Sequence, residues 1–576
     1  MIRQDLAVPD PRGVGGGPDW LFGHAGSARA RRLLVLFLFP ALVLAGTLRF
    51  DFVFDDNIVI LGDPLVAKQF SPKGIFGSEV RVADVALGYY RPLITLLYRT
   101  DRALWGLNPS GYHLTNLLWH LLATFLVYRL VVRTTGRLVA AWAGAMLFAV
   151  LPAHTEAIGW IQGRVDLVST VFVLLALLAL VRARGSTRNA GWPWATLAGF
   201  MFLAALLAKE SAATLPLVWA TWEVTAFGAK PWRERPAALA GRFASLGMAG
   251  LTYWLLRHWA LGDSYSYFRM SPSPIALRAL ALPTILAEYG RILLVPDLTL
   301  NFHRTLAVDP SPTTLGIGLV VVAVLACSLA AAWQWARPLF PWTAWIPITL
   351  LPAMFFILDV RAPETGFFTA ERFLYLPSVG WCILLGSAAA GLLEGRHRSS
   401  WSGWGWLAFA GMVIGYAGLT LVRLQPWADP ADLYVAMKAQ TNMPTAVRVL
   451  VHNNLGEVYL ERGEFSAARA EFQAALQLKP DYAIAHNNLG VLMIRQGQPT
   501  EARPWIETAI RLNPNYSDAY GNLGAAYEAV GDLSAARHAY EAGLRIAPGS
   551  VWLARGLARV NGEKVSSPVP RVEATP

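Results

Sequence analysis

Two adjacent carboxylates follow the first strongly apolar segment of the chain. Asp55 and Asp56 lie a few residues beyond the apolar run 33–48. An ionisable pair so close to lipid is costly unless partners or water stabilise its charge, so it marks a candidate functional site. A carboxylate at a lipid–water boundary can take the proton from a hydroxyl nucleophile, as a general base does. A solvated turn would explain the same two residues, and the pair alone leaves both interpretations open.

Further charged and aromatic clusters flank later apolar segments. Their members are Arg91, His154, Glu156, Arg164, Asp166, Lys209, Glu210, Glu371, Arg372 and Tyr375. Arginine and lysine can hold an anionic head group and stabilise a leaving phosphate, which is the chemistry that these clusters offer. Plainer explanations also exist. Arg91 can snorkel from an interfacial aromatic belt, and the cluster 154–166 can form a structural knot of ion pairs.

The apolar segment 112–132 carries three polar residues on one helical face. His113, Asn116 and His120 follow the spacing i, i+3, i+7. Polar side chains on one face of a membrane helix commonly hydrogen-bond to a neighbouring helix, and a ligand role is the alternative.

Composition places these clusters in a membrane protein. Of the 576 residues, 55% are hydrophobic and 15% are charged, which indicates several membrane spans and a soluble appendage. The net charge of +11 comes largely from basic residues in short loops between apolar segments, as the positive-inside rule predicts, so nucleic acid is not expected as a partner. The two cysteines lie in apolar runs and exclude a cysteine-based zinc cluster.

Known motifs for cofactors and metals are missing from the sequence. The chain has no P-loop, no Gly-rich dinucleotide turn, no Gly-x-Ser-x-Gly elbow and no metal-spaced His/Cys set. We therefore expect no cofactor and no metal site built from such a motif, while a metal requirement of the reaction stays open.

The apolar segments predict an all-α fold, with a polytopic membrane helix bundle over 31–425 that makes about eleven crossings. Residues 1–30 are predicted to be a disordered cytoplasmic N-terminus, and 49–110 an outer loop. This count requires the segment 275–295, which contains Pro283, to be re-entrant or interfacial. All the charged clusters then lie on the non-cytoplasmic face, level with Asp55. If 275–295 crosses the membrane, the C-terminal domain faces the cytoplasm instead.

The C-terminal part repeats with a period of 34 residues. The sequence Asn-Leu-Gly recurs at Asn454, Asn488 and Asn522, and each copy ends in proline. This pattern predicts three tetratricopeptide (TPR) repeats over 449–550, a capping helix over 551–562 and a disordered tail over 563–576. The three asparagines resemble a ladder that holds an extended peptide backbone in the concave groove. Consensus packing with a generic partner groove is the alternative.

The order of these motifs resembles that in the transmembrane-and-TPR protein O-mannosyltransferases of the GT-C superfamily. The motifs are the Asp-Asp pair, the sequences around Arg91, His154, Arg164, Lys209 and Arg372, and the TPR repeats. Two features depart from that pattern: Leu151, where the family often has histidine, and the short array of three repeats.

The resemblance implies an inverting glycosyltransferase. Its donor would be a polyprenyl- or dolichyl-phosphate sugar, typically mannose, and its acceptor a Ser/Thr hydroxyl of a protein or peptide, held by the TPR groove. One of Asp55 and Asp56 would be the base. The phosphate-site candidates are Arg164, Lys209 and Arg372, chosen for their positive charge and their predicted side of the membrane. The remaining cluster residues would lie around them.

Two other functions compete with this one. The chain could be a non-catalytic TPR scaffold for envelope protein assembly, anchored in the membrane. A lipid-linked-sugar transporter would be expected to show repeated halves among its spans, which the sequence lacks. Residue usage favours a bacterial inner membrane, with the TPR domain on the periplasmic side, over the endoplasmic reticulum. The sequence does not fix the sugar, the acceptor, the oligomeric state or which aspartate is the base.

Overall fold

The computed structural model describes residues 27–67, 71–77, 80–82, 85–185, 191–225, 236–262, 275–296, 304–306, 311–359, 367–393, 401–440 and 443–563. The stretches predicted to be disordered, 1–30 and 563–576, lie almost wholly outside these residues. The chain divides into two compact units between Asp429 and Pro430. Both units are helical, and two short antiparallel strand pairs accompany the helices of the first unit.

The first unit contains sixteen described α-helices. They are α1 (Ser27–Leu44), α2 (Pro64–Ala67), α3 (Pro72–Phe76), α4 (Pro92–Trp105), α5 (Pro109–Thr135), α6 (Leu138–Ala149), α7 (Thr155–Gly159), α8 (Arg164–Gly185), α9 (Trp192–Ala208), α10 (Leu215–Thr225), α11 (Pro236–Leu261), α12 (Ile275–Leu294), α13 (Pro312–Trp335), α14 (Phe340–Asp359), α15 (Ser378–Leu393) and α16 (Trp401–Leu424). Strand β1 (Val80–Val82) pairs with β2 (Val85–Tyr89), and β3 (Arg304–Leu306) pairs with β4 (Phe367–Thr369).

Helices occupy every apolar segment assigned to the membrane, and the chain is a multi-pass membrane protein. Within the described residues, five helices are long and apolar enough to cross: Ala30–Arg49, Pro109–Thr135, Ile161–Gly185, Pro312–Trp335 and Trp404–Ala428. A sixth span results if the pair Leu138–Ala149 and Pro152–Gly159, bent by 51°, crosses as one. The predicted eleven crossings are not confirmed, because several of the assigned segments form helices too short, too polar or too broken to pass on length and composition.

Close helix contacts hold the bundle together. Helices α6 and α15 approach at Gly144 and Gly386, where a Cβ on Gly386 would lie 2.3 Å from the backbone nitrogen of Gly144. Such small residues let membrane helices pack by backbone contact, since lipid supplies no hydrophobic driving force between helices. A side chain at either position would push α6 and α15 apart.

A smaller apolar core supports the loop that carries Asp55 and Asp56. Phe52, Ile60 and Tyr112 belong to this core, and the edge of the Phe52 ring packs against Tyr112 at a centroid distance of 5.3 Å. After the aspartates, Asn57–Gly62 forms a short π-helical segment. Apolar residues on both sides of the two aspartates therefore help to anchor the loop.

The second unit is an α-solenoid. Its helices are α17 (Pro430–Lys438), α18 (Thr445–Glu461), α19 (Phe465–Leu478), α20 (Ala483–Arg495), α21 (Pro499–Leu512), α22 (Ser517–Ala529), α23 (Leu533–Ile546) and α24 (Val551–Val560). Helices α18 to α23 form three antiparallel pairs. The glycine of each Asn-Leu-Gly motif permits the close contact; a Cβ on Gly456, for example, would lie 2.7 Å from the Phe472 ring.

Candidate active site

The carboxylate of Asp56 stabilises the loop that carries it through two backbone hydrogen bonds. It is completely buried and accepts hydrogen bonds from the backbone N–H of Val53 at 3.2 Å and of Gln162 at 3.1 Å. The bond from Gln162 joins the loop after the first span to the turn between α7 and α8, and the bond from Val53 closes the loop on itself. Burial raises the pKa of Asp56 to about 8; the two backbone donors oppose that rise, and the charge of Asp55 adds to it. Asp56 is therefore a structural anchor in this fold.

Asp55 has a different environment although it is the adjacent residue. Its side chain is only partly buried. Burial raises its pKa to about 6, and the positive charge of Arg372 acts against the rise. A carboxylate with a pKa near the working pH can both accept and release a proton, which is the property of an efficient general base. Of the two predicted catalytic aspartates, Asp55 is the one that can reach a substrate.

The residue before Asp55 is held in an unusual backbone conformation. Phe54 has φ = 54°, and it is the one non-glycine residue with positive φ in the described part of the chain. A bulky side chain adopts this region only when the surroundings enforce it, and such strain concentrates at functional sites. The ring of Phe54 packs edge-on against Trp160 at 5.7 Å. The strained turn and its aromatic support fix the direction in which Asp55 points.

Tyr89 marks the centre of the charged cluster. Burial raises its pKa, and the charges of Arg91, Glu210, Arg372 and Asp55 all act on its hydroxyl. The guanidinium of Arg91 lies over the Tyr89 ring, 4.4 Å from its centroid. Charged residues from four separate parts of the sequence therefore lie within electrostatic range of one phenol.

Three cation–carboxylate pairs line this cluster. They are Arg372 with Glu156, Lys209 with Asp166 at 2.5 Å, and Arg91 with Glu210 at 3.3 Å. Lys209 is within electrostatic range of both Arg91 and Arg372. The Arg372 and Arg91 side chains keep 15% and 16% of their surface exposed, so both can still meet a ligand. Three cations thus lie within electrostatic range of one another, and one of them, Arg372, acts on Asp55, whose carboxylate takes part in none of these three pairs.

Aromatic rings orient two of these cations. The Arg372 guanidinium lies 5.3 Å from the Trp160 ring centroid and 5.2 Å from that of Phe373, and Lys209 Nζ lies 5.1 Å from Phe373. Cation–π contacts of this kind hold a charged group in place with little loss of its electrostatic reach. The backbone N–H of Arg372 also donates to Glu156 at 2.9 Å. Arg372 is thus fixed from both its backbone and its side chain.

The structure buries Arg164, one of the predicted phosphate ligands. The Arg164 side chain has no exposed surface, forms an ion pair with Asp101 at 2.5 Å and donates to the Tyr112 carbonyl at 2.9 Å. A phosphate cannot reach a guanidinium in this position. Sequence alone could not distinguish Arg164 from Arg372, because both lie beside an apolar segment on the same predicted face. Burial distinguishes them.

His154 and Tyr375 also lie away from the charged cluster. Both are buried, with ring centroids 4.5 Å apart; His154 Nε2 bonds the Ser378 hydroxyl at 2.8 Å, and the Tyr375 hydroxyl bonds His120 Nδ1 at 2.7 Å. This arrangement speaks against their assignment to the donor site, because His154 Nε2 and the Tyr375 hydroxyl bond to residues of α15 and α5. It matches the interhelical role considered for His120.

Glu371 is likewise buried, in an ion pair with Arg423 that sequence reasoning missed. Arg423 lies in the last turn of the apolar helix α16. Because an ionisable residue in such a helix needs a partner, its position could have predicted an ion pair with a nearby carboxylate. Glu371 therefore anchors the segment that precedes Arg372 and is not a donor ligand in this structure.

Each asparagine predicted for a peptide groove donates a hydrogen bond to another side chain of the solenoid. Asn488 Nδ2 donates to Asn453 Oδ1 at 3.2 Å, Asn522 Nδ2 donates to Asn487 Oδ1 at 2.9 Å, and both Asn488 and Asn522 are fully buried. Asn454 donates to the Tyr434 hydroxyl at 3.3 Å. These bonds join each repeat to the element before it, so an extended peptide would have to replace them. The packing alternative accounts for these bonds.

Comparison with known proteins agrees with this organisation. A tetratricopeptide-repeat family model matches residues 453–517 and 494–551. The protein O-mannosyl-transferase Tmtc1 of Drosophila melanogaster is 29% identical over 76% of this chain and 60% of its own length. The protein O-mannosyl-transferase TMTC3 of Mus musculus is 27% identical over 75% of this chain and 49% of its own length.

The chain spans about half to three fifths of the length of these curated relatives. A solved structure of the first TPR of Spaghetti (RPAP3) bound to an HSP90 peptide is 23% identical, with a TM-score of 0.20, and covers 20% of this chain and 92% of its own. With a TM-score this low, the likeness carries no argument about fold or function. The resemblance seen in the sequence is confirmed: the homologues of this chain are the TMTC protein O-mannosyl-transferases, and its C-terminal part is a TPR domain.

Proposed function

We propose that this protein is an inverting membrane glycosyltransferase that moves mannose from a polyprenyl- or dolichyl-phosphate donor to a Ser/Thr hydroxyl of a protein. The observation that carries the proposal is the placement of Asp55, a partly buried carboxylate with a raised pKa, beside the Arg372 charge. A base next to a cation is what transfer from a sugar phosphate to a hydroxyl requires. The names of the homologous O-mannosyl-transferases support the same activity.

In the proposed reaction Asp55 takes the proton of the acceptor hydroxyl. The hydroxyl oxygen then forms a bond to the anomeric carbon of the sugar while the bond from that carbon to the phosphate oxygen breaks. The bonding electrons leave with the phosphate, and the lipid phosphate departs as an anion. A single displacement from the opposite side inverts the configuration at the anomeric carbon.

Arg372 and Lys209 are proposed to stabilise the leaving phosphate. Each is already paired with a carboxylate, Glu156 and Asp166, so its charge is held in position before the donor arrives. Preorganised charge of this kind lowers the barrier because no reorganisation is needed as negative charge develops. Arg91, paired with Glu210 and lying over the Tyr89 ring, is proposed to bind the sugar phosphate as well.

We further propose that the site opens on the non-cytoplasmic face of a bacterial inner membrane, with the TPR domain on the same side. In the topology expected from the sequence, the charged cluster lies opposite the basic connections Arg133/Arg137 and Arg182/Arg184. The TPR domain would then present acceptor protein to the site. A reporter fused after residue 425 tests the orientation: it should be accessible outside the cytoplasm, and a cytoplasmic reporter would reverse the assignment.

The activity is tested with purified full-length protein in lipid nanodiscs, radiolabelled polyprenyl-phosphate mannose and a mixture of envelope proteins from the source membrane. Transfer of label to protein, released by β-elimination, is the expected result, and the linkage on the intact glycopeptide should have the anomeric configuration opposite to that of the donor. GDP-mannose replaces the lipid donor as a control and should give no transfer. Labelling from GDP-mannose, or retention of configuration, would contradict the mechanism. Specific capture of proteins without transfer would favour the non-catalytic scaffold.

A further inference from the structure

We propose that Asn116 and Arg164 are positioning residues for the general base: through the turn at 160–162 they fix Asp56 and thereby the placement of Asp55. This inference rests on the proposed function. It gives Arg164, which cannot bind phosphate, a definite part in the reaction, and it links a residue within a membrane helix to the loop outside it.

The Asn116 side chain bridges the guanidinium and the turn. Its Oδ1 accepts from Arg164 Nε at 2.7 Å, and its Nδ2 donates to the carbonyls of Trp160 at 3.3 Å and Ile161 at 3.2 Å. Because Oδ1 faces an obligatory donor, the amide can have only one orientation, with Nδ2 toward the turn. Asn116 is completely buried, so water does not compete for these bonds.

The turn passes this constraint to the aspartate loop. The N–H of Gln162, directly after the two bound carbonyls, donates to Asp56 Oδ1 at 3.1 Å. The other Asp56 oxygen accepts from Val53 N–H at 3.2 Å, so the loop is closed on itself around the strained Phe54. Loss of the turn's position would release one oxygen of Asp56 and allow Phe54 to relax, which would move Asp55.

The chain of contacts that begins at the turn ends at Arg164 and its partner Asp101. Arg164 pairs with Asp101 at 2.5 Å and lies 5.0 Å from the centroid of the Tyr98 ring, and Asp101 accepts from the Thr115 hydroxyl at 3.0 Å. Arg164 and Asp101 are both buried, so removal of either partner would leave the other charge uncompensated. Arg164 therefore provides a fixed point against which Asn116 holds the turn.

The test compares wild-type protein with Asn116→Leu in the mannose-transfer assay. Leucine has the same branched arrangement of side-chain heavy atoms as asparagine and lacks every hydrogen bond of its amide. The matched control is Thr124→Val on the same helix, since the Thr124 hydroxyl is also buried but has no hydrogen-bond partner among the described residues. Arg164→Lys is the second variant: it can keep the ion pair with Asp101 while it loses the planar donor to Asn116.

We expect kcat of Asn116→Leu to fall about 10- to 100-fold, with KM for the donor within about 3-fold of wild type. The base is displaced, whereas Arg372 keeps its bonds to Glu156 and its contact with Phe373 even if Trp160 moves. The acid limb of the pH profile of kcat should move to lower pH as Asp55 becomes more hydrated. The kcat of Arg164→Lys should lie between those of Asn116→Leu and wild type, and the kcat of Thr124→Val should match wild type.

Each other outcome overturns the inference in a recognisable way. A folded Asn116→Leu with wild-type kcat and pH profile refutes the positioning role but leaves the proposed function intact. A rise in donor KM at unchanged kcat assigns the network to donor binding instead. If Asn116→Leu does not fold, Arg164→Lys decides, and an unchanged kcat and pH profile in that variant refutes the role. If wild-type protein transfers no mannose, the proposed function fails and this inference fails with it.

Discussion

Asp55 and Asp56 are neighbours in the chain, yet one is a buried anchor and the other faces a cation. Asp56 accepts two backbone hydrogen bonds and has no exposed surface, whereas Asp55 is partly exposed and feels the charge of Arg372. The difference assigns separate roles within the pair. Asp56 builds the loop, and Asp55 is the candidate base.

Replacement of Arg372 should separate its two roles. Arg372→Gln removes the cation and leaves Glu156 buried without its partner, which should destabilise the protein by about 3 kcal/mol and reduce transfer about 100-fold. In the double variant Glu156→Gln/Arg372→Gln the uncompensated charge is gone, so thermal unfolding should return toward wild type. Transfer should stay low, because the leaving phosphate still lacks its cation. Recovery of transfer in the double variant would show that Arg372 is purely structural.

The rate of transfer should depend on pH through Asp55. The base must be ionised to accept a proton, so activity should rise as pH rises and level off above the pKa of about 6. The ordinary pKa of an aspartate would instead put this limb at about pH 4. The measurement is kcat from about pH 4 to about pH 8 with saturating donor. A profile whose acid limb lies at the ordinary aspartate value would remove Asp55 as the titrating group.

Much of this site could be predicted from the sequence, because charged residues that flank apolar segments are costly and few. The charge pattern points to Asp55, Lys209, Arg91 and Arg372, and equally to Asp56 and Arg164, which the structure buries. It could not find their pairing: Arg372 and Glu156 are 216 residues apart, and Arg91 and Glu210 are 119 apart. Such pairs depend on how the helices pack, and no local pattern encodes the packing.

Burial was the other quantity that the sequence could not supply. Arg164 and Arg372 have the same charge and the same kind of neighbour, but the first is enclosed by Tyr98 and Asp101. The roles of Asp55 and Asp56 differ through the backbone N–H of Gln162, a donor that every residue except proline has. The helical class and the TPR repeats were predictable, since both follow from periodicity. The number of membrane crossings was not, because broken and short helices look continuous in a hydropathy pattern.

The asparagine bonds between repeats should contribute to the stability of the solenoid. Asn522→Ala leaves Asn487 Oδ1 without its donor in a buried setting, at a cost of about 1–3 kcal/mol. The exposed Asn561, after the last helix, provides the control, and Asn561→Ala should be neutral. Hydrogen exchange of the helices α20 to α23 in full-length protein measures the effect. Equal protection in the two variants would show that these asparagine bonds do not stabilise the solenoid, so that the asparagines could bind a peptide instead.

The central claim is tested most directly by mannose transfer to protein in three aspartate variants of the full-length chain. Asp55→Asn should lose transfer by about 1000-fold or more at unchanged unfolding temperature, because the amide cannot accept the proton. Asp51→Asn, an exposed neighbour in the same loop, should keep wild-type activity. Asp56→Asn should lower the unfolding temperature along with the rate, as the loss of an anchor predicts. Wild-type transfer by a folded Asp55→Asn protein would contradict the account.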